Sequence, residues 1–262
     1  MSSDSTTKTL GVALGLCVAC SVLVSTAAVK LKPIQDENKK IDVQKNLLLS
    51  TGLLKSGAVS KKEIEETYNK NVETKMIDLS TGKVSQKDPS SFQLGVTDKD
   101  PAAAISIPSA EDIASIKTRA EVRPVYFIKN GGKVTQVVLP IHGKGLWSTM
   151  YGFLALAPDT RTVKGIGWYS HGETPGLGGE IENPKWQAQW KGKHVLSEDD
   201  YNPVFTVIKG TVDSGTPNAD QKVDGLSGAT LTSKGVESTI NYWVGKEGYG
   251  KFLTNFRDGG VL

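Results

Sequence analysis

Cysteine is nearly absent from this sequence of 262 residues: Cys17 and Cys20 are the only two, and both sit in an apolar run near the N-terminus. The rest of the chain therefore cannot be stapled by disulfides, ligate an iron–sulfur cluster through its own thiolates, or use a Cys nucleophile. A domain without cysteine folds in either redox compartment, so this absence fixes none. Histidine is scarce as well. His142, His171 and His194 are the only three; they lack the short spacings of a zinc site, which argues against a metallohydrolase and leaves no metal ligands to nominate. An excess of one charge is missing too: 31 basic and 28 acidic residues give a net charge of +3, too balanced for a nucleic-acid-binding face. There is no internal repeat and no low-complexity tract. The length suits one large domain, or one domain with accessory segments.

What is present begins with Leu10 to Val29, 20 residues without a charge. As a helix rising 1.5 Å per residue, such a run spans a hydrocarbon core of about 30 Å. Ser25-Thr26-Ala27 resembles a cleavage site, but the run is long for a signal peptide and reads better as a retained anchor. Cys17-x-x-Cys20 reads as two small apolar residues in that helix rather than a metal or redox pair, and bulky Leu16 before Cys17 argues against a lipoprotein site. Orientation is contradictory from residues alone. Anchor or signal, the run exports the remainder of the chain, whereas five lysines within residues 30–50 against one before the run would hold it in the cytoplasm. The expected division is an anchor over residues 1–32 and a soluble region over 33–262.

The soluble region reads as α+β, a mixed α/β domain with an antiparallel sheet. Lys30 to Asn38 is a polar stalk. Ser60-Lys61-Lys62-Glu63 has the capping-box pattern and opens a helix to about Glu73. Lys75–Leu79 is a short strand candidate, and residues 81–104 form a long surface excursion. Ser109 is expected to cap a short helix through Ile116. Val125–Ile128 and Val134–Leu139 flank Asn130-Gly131-Gly132 as a hairpin; Met150–Leu156 and Val163–Tyr169 flank Pro158-Asp159-Thr160 as a second. Asn183-Pro184 opens a helix that places Trp186 and Trp190 one turn apart, and Val204–Ile208 is another strand. Val236, Ile240 and Trp243 line one face of a helix ending at Gly245.

Three segments carry chemistry. Asp224-Gly225-Leu226-Ser227-Gly228-Ala229-Thr230 is a turn of small residues ahead of the Val236 helix. Glycines there let a ligand approach the backbone, helix-start amides favour a phosphate, and a hydroxyl is placed to carry or bind one. Taken alone, it reads first as a plain loop-to-helix junction with a Ser or Thr cap. The second, Ser170-His171-Gly172-Glu173-Thr174-Pro175-Gly176-Leu177-Gly178-Gly179-Glu180, is neither a Walker A loop nor a dinucleotide fingerprint; it suits a rigid loop after a strand. The third is His142-Gly143-Lys144-Gly145-Leu146-Trp147-Ser148, whose Trp147 has the shape to stack on a flat ring or simply to pack.

Together these segments resemble the covalent FMN-binding domain family, with core motifs over about 120–245. Asp224 with Ser227-Gly228-Ala229-Thr230, followed by Leu231-Thr232-Ser233, resembles the family's flavinylation motif. Glu173-Thr174-Pro175-Gly176-Leu177-Gly178 matches a second family segment, shared by one subunit of the sodium-translocating NADH:quinone oxidoreductase and one of the Rnf complex. The anchor, the length and the segment from His142 to Ser148 are more similar to the sodium-pump subunit. The resemblance implies that a transferase moves FMN from FAD to Thr230, leaving a phosphoester. Asp224, Ser227, Gly228 and Ala229 would present that hydroxyl. Glu173, Thr174, Leu177 and Gly178 would border the flavin, as would Trp147 and Ser148. Read alone, Glu173 is equally a solvated loop acid. The implied role is an electron carrier with no catalytic residue of its own. It would be a single-pass protein of the bacterial inner membrane with its domain in the periplasm. It would work among six subunits, beside another covalent-FMN subunit and iron–sulfur-bearing membrane subunits, in a complex that exports sodium ions. The alternatives are the Rnf subunit, distinguishable by ferredoxin-oxidising partners, and a cofactor-free anchored binding module, distinguishable by a colourless native protein.

Overall fold

The computed structural model describes residues 5–55 and 57–260. The chain divides into two units, one up to Val43 and one from Gln44 onward. The first is helical, the larger part of α1, Thr6–Thr51. Its apolar stretch is long enough to cross a membrane. The expected polar stalk is helical as well, through Pro33. Lys, Gln, Glu and Ala are good helix formers, and Lys32 pairs with Asp36 one turn on at 3.5 Å, which adds a few tenths of a kcal/mol.

The last two turns of α1 belong to the second unit, where Leu47 and Leu48 are fully buried. The helix stops at Gly52, in the left-handed region at φ 75°; the amides of Gly52 and Leu53 return to the carbonyls of Leu49 and Leu48, a Schellman stop. Helix α2, Lys61–Asn71, starts where the capping box places it: Ser60 accepts from the Glu63 amide at 3.2 Å.

The remaining elements are β1 (Val72–Asp78), β2 (Lys83–Ser85), β3 (Ala104–Ser106), β4 (Thr118–Ala120), β5 (Val122–Asn130), β6 (Lys133–Lys144), β7 (Thr149–Leu156), β8 (Val163–Ser170), α3 (Pro184–Ala188), β9 (Thr206–Val207), β10 (Lys222–Val223), α4 (Thr230–Val244) and α5 (Gly250–Arg257). A six-stranded sheet runs in the order β2-β1-β5-β6-β7-β8, antiparallel throughout. Both expected hairpins are present. Gly131 and Gly132 take positive φ between β5 and β6, the type I′ requirement that matches strand twist. Between β7 and β8, Asp159 accepts from the amides of Arg161 and Thr162.

Strand β6 is buried along its second half. Val137, Leu139 and Ile141 join Val236, Ile240 and Trp243 of α4 in the core. The helix comes close because Gly143 has no side chain: a Cβ there would collide with the Thr239 hydroxyl. Gly165 of β8 likewise admits the Ser50 carbonyl of α1.

One expectation fails. Residues 109–116 form turns rather than a helix. Ser115 and Lys117 take positive φ, held by the Asp112 carboxylate, which accepts from the amides of Ile116 and Lys117, and by the Lys144 amide, which donates to the Ala114 carbonyl. The excursion at 81–104 lies mostly at the surface, as expected, and is anchored late in its course by Asp98. That residue is 1% exposed and ion-paired with Arg123, which is fully buried.

Candidate flavin site

Thr230 is the first residue of α4, and it is exposed. Ala229 before it, at φ −129° and ψ 48°, offers no side-chain cap. The helix start therefore keeps unsatisfied amides and the positive end of its dipole, the arrangement that favours a phosphate. Two nearby hydroxyls are engaged elsewhere. Ser233 accepts from the Leu226 amide at 3.0 Å and so pins the turn. Thr232 donates to Glu173 at 2.6 Å and is fully buried.

Glu173 is the hub. It comes from the loop after β8 and is 5% exposed, not a solvated acid. Its oxygens accept from the amides of Leu146, Trp147 and Ser148 at 3.1, 2.9 and 3.1 Å, as well as from Thr232. One carboxylate thus joins the β6–β7 hairpin tip, the β8 loop and the first turn of α4. Burial opposes its ionisation, but the Thr232 hydroxyl and the three amides outweigh burial and hold the carboxyl below its ordinary range. Two glycines make room for it: a Cβ at Gly145 or Gly178 would come within 2.5 Å of the Glu173 oxygen or the Thr232 hydroxyl, respectively. Ser148 adds a second tie, its hydroxyl accepting from the Gly172 amide at 2.6 Å.

The remaining site residues fall into two groups. Asp224 is a brace: its carboxylate accepts from Val212 and Gln189, and its carbonyl from the Trp186 indole at 2.8 Å. Thr174 turns the loop, its carbonyl accepting from Leu177 and Gly179. Leu177 lies over the Ser227-Gly228-Ala229 turn, since a Cβ on Gly228 (φ 69°) would meet its methyl at 2.9 Å. Leu177, Trp147, Leu146 and Leu231 are all exposed, Trp147 by 66%. These apolar side chains lie on the three segments that Glu173 joins, one of which carries Thr230. The clefts of about 360 and 430 Å³ elsewhere in the domain contain neither Thr230 nor Glu173 nor Leu177. The site is an open rim.

Sequence reasoning singled out the three segments that Glu173 joins but gave no structural role to Thr232, Ser233 or Gly145. Gly145 and Gly178 were the available signal: glycines on separate loops, each without a side chain where a third residue must enter. Among the described residues no group of His, Cys, Asp and Glu could hold a metal ion.

An exposed hydroxyl on an uncapped helix start, beside exposed apolar side chains, is compatible with a phosphate-bearing planar ligand. In agreement, residues 145–245 match the FMN-binding domain family, from the hairpin tip to the α4 C-cap. The chain is 48% identical to the C subunit of the Na(+)-translocating NADH-quinone reductase of Pseudomonas aeruginosa, over 98% of both chains. It is 44% identical to that of Yersinia pestis, over 99% of this chain and 96% of the other. Its fold matches the crystal structure of Shewanella oneidensis NqrC with a TM-score of 0.76 at 35% identity, covering 84% of this chain and 99% of that one. The crystal structure of the corresponding Parabacteroides distasonis protein matches at 0.65 and 28%, covering 86% and 97%. The chain belongs to the NqrC family, the C subunits of Na(+)-translocating NADH-quinone reductases.

Proposed function

We propose that this chain is an electron-carrier subunit with FMN esterified through its phosphate to Thr230. The observation that carries this reading is the exposed Thr230 hydroxyl on an uncapped helix start, within an open rim. A rim cannot retain a planar ligand by enclosure, and a covalent tether removes that need. The tether would form when the Thr230 oxygen bonds to the FMN phosphorus of FAD, the pyrophosphate bond breaks, AMP leaves with the bridging oxygen, and the hydroxyl proton is released. An FMN transferase would catalyse it. When bound, the flavin supplies the redox chemistry; the protein sets its position and exposure. Glu173 holds the three loops in register, Asp224 braces the Ser227-Gly228-Ala229 turn, and Leu177, Gly178, Thr174, Trp147 and Ser148 border the ligand.

In this reading residues 1–32 anchor the chain in the inner membrane and residues 33–262 lie in the periplasm. Electrons pass to a neighbouring covalent-FMN subunit and on to quinone, within a six-subunit complex with iron–sulfur-bearing partners that exports sodium ions. The test is coexpression with an active transferase. The wild-type chain should give a fluorescent band after denaturing electrophoresis, and peptide mass mapping should place the FMN mass on Thr230. Thr230→Ala should abolish the band and Thr230→Ser should retain part of it. A fluorescent Thr230→Ala band sinks the assignment.

A further inference from the structure

The cleft of about 430 Å³ lies beside the hairpin that carries the flavin-site loop but contains none of the proposed flavin-site residues. Its floor is the end of that hairpin. His142 and Lys144 alternate along β6, and their register partners on β7 are Tyr151 and Thr149, so the four share one face; all four line the cleft. Its walls bring Lys99 from one turn and Lys117 from another.

The polar inventory is lopsided. Lys99, Lys117 and Lys144 are exposed, and none forms an ion pair among the described residues; the Lys144 ammonium donates to the Trp147 carbonyl at 3.0 Å. The acid at the floor, Asp98, is already paired with Arg123 and accepts from the Gly95 and Ala120 amides. Asp112, behind the Lys117 wall, is engaged by the amides of Ile116 and Lys117. His142 is 4% exposed, stacked on Tyr151 at 5.5 Å, and its Nδ1 is buried with no hydrogen-bond partner. The Asp98 carboxylate is 4.0 Å from it, too far for a direct bond. The wall is also held in an unusual form: Ser115 and Lys117 both occupy the left-handed region, where non-glycine residues are uncommon and cluster at ligand sites.

We propose that this cleft binds a small oxyanion, with a carboxylate or phosphate group received by Lys99, Lys117 and Lys144 at the mouth and with His142 and Tyr151 at the floor. Donors outnumber free acceptors there, and an oxyanion supplies the acceptors. The site does not depend on the flavin assignment, because none of its residues is placed at the flavin.

The test is a titration of the full chain in detergent with inorganic phosphate and with malonate, at constant ionic strength so that general screening does not change. The chain has three histidines, so the His142 imidazole resonance can be followed by NMR. It should shift saturably with at least one of the two anions, and which one acts assigns the ligand class. The Lys99→Gln, Lys117→Gln double variant, at two exposed positions, should weaken binding about tenfold. Lys191→Gln, outside the cleft, should leave it unchanged. No saturable shift with either anion, an equal shift with chloride, or undiminished binding in the double variant overturns the proposal.

Discussion

Asp98 and Glu173 are both buried carboxylates on long loops, and both stay ionised against burial. They do so by different means. Asp98 faces Arg123, itself fully buried, fixed by the Tyr249 hydroxyl at 3.1 Å and the Pro140 carbonyl at 3.1 Å, and stacked 4.1 Å from the Trp243 ring. Glu173 faces no cation in its hydrogen-bond set, only three amides and the Thr232 hydroxyl. The first arrangement locks an excursion onto the core. The second draws three loops together and leaves their outer faces exposed. A cation there would fill the space that the loops need, and its charge would sit beside whatever the rim binds.

The largest expected effect comes from breaking the ion pair. Arg123→Ala leaves Asp98 buried without its partner, and stability should fall by about 3–5 kcal/mol. Urea denaturation of the purified chain measures it. An Arg123→Ala loss smaller than that of Glu173→Ala would reverse the contrast between the two carboxylates.

Glu173→Ala strands three amides and one hydroxyl at the rim, where water can reach some of them. The expected loss is about 1–3 kcal/mol, with flavin attachment reduced because the first turn of α4 loses its tie. Glu173→Gln should fall between, since its amide keeps one accepting oxygen but turns an NH₂ towards donors. Attachment at wild-type level in Glu173→Ala would show that the rim is organised by other contacts.

His142 brings pH into the same comparison, because it sits beside Asp98 and not beside Glu173. Burial, then the Arg123 charge, push its pKa down to about 3, with Asp98 partly opposing. The unfolded chain titrates this group near pH 6.5. Between those values the unfolded state binds more protons, so stability should fall as pH drops below about 6.5, by at most about 1.4 kcal/mol per pH unit, and the loss should level off below about pH 3. The two carboxylates act at the lower end. Their depressed pKa values give stability that is complete above the ordinary carboxylate range and is lost as pH falls through the folded values. Denaturation of wild type and His142→Gln from pH 7 to pH 5 separates these contributions. An unchanged slope in the variant would show that His142 does not carry it.

The sequence made local features legible and long-range ones illegible. Asn130-Gly131-Gly132 predicts its hairpin because both glycines must take positive φ. Ser60 and Asn183 predict helix starts because each caps within its own first turn. The spacing of Val236, Ile240 and Trp243 predicts the buried face of α4, and all three are fully buried. The Ser109 helix fails because the Asp112 carboxylate holds the Ile116 and Lys117 amides in a turn and the distant Lys144 amide takes the Ala114 carbonyl. Asp98 and Arg123 lie 25 positions apart and Glu173 and Thr232 lie 59 apart, so no periodicity links either pair. The loops that Glu173 draws together stood out in the sequence only through their family motifs. The roles of Glu173 and Thr232 within those motifs required the fold.

The smallest expected change in stability is the most specific probe of the rim. Leu177 is 43% exposed and lies over the Ser227-Gly228-Ala229 turn, close to Gly228. Leu177→Glu removes an apolar surface without opening a cavity, so stability should change by no more than about 0.5 kcal/mol. If this side chain borders the isoalloxazine, the charge should alter the absorption spectrum and lower the midpoint potential, because an anion near the ring disfavours adding electrons to it. The variant must first be shown to carry a full complement of FMN, so that a spectral change is not a loading defect. The Asp98 side of the domain supplies the control: Lys99→Gln, exposed at the cleft mouth, should leave spectrum and potential alone. A fully loaded Leu177→Glu protein with wild-type spectrum and potential would remove Leu177 from the flavin surface and leave Trp147 and Leu231 as the apolar groups to test there.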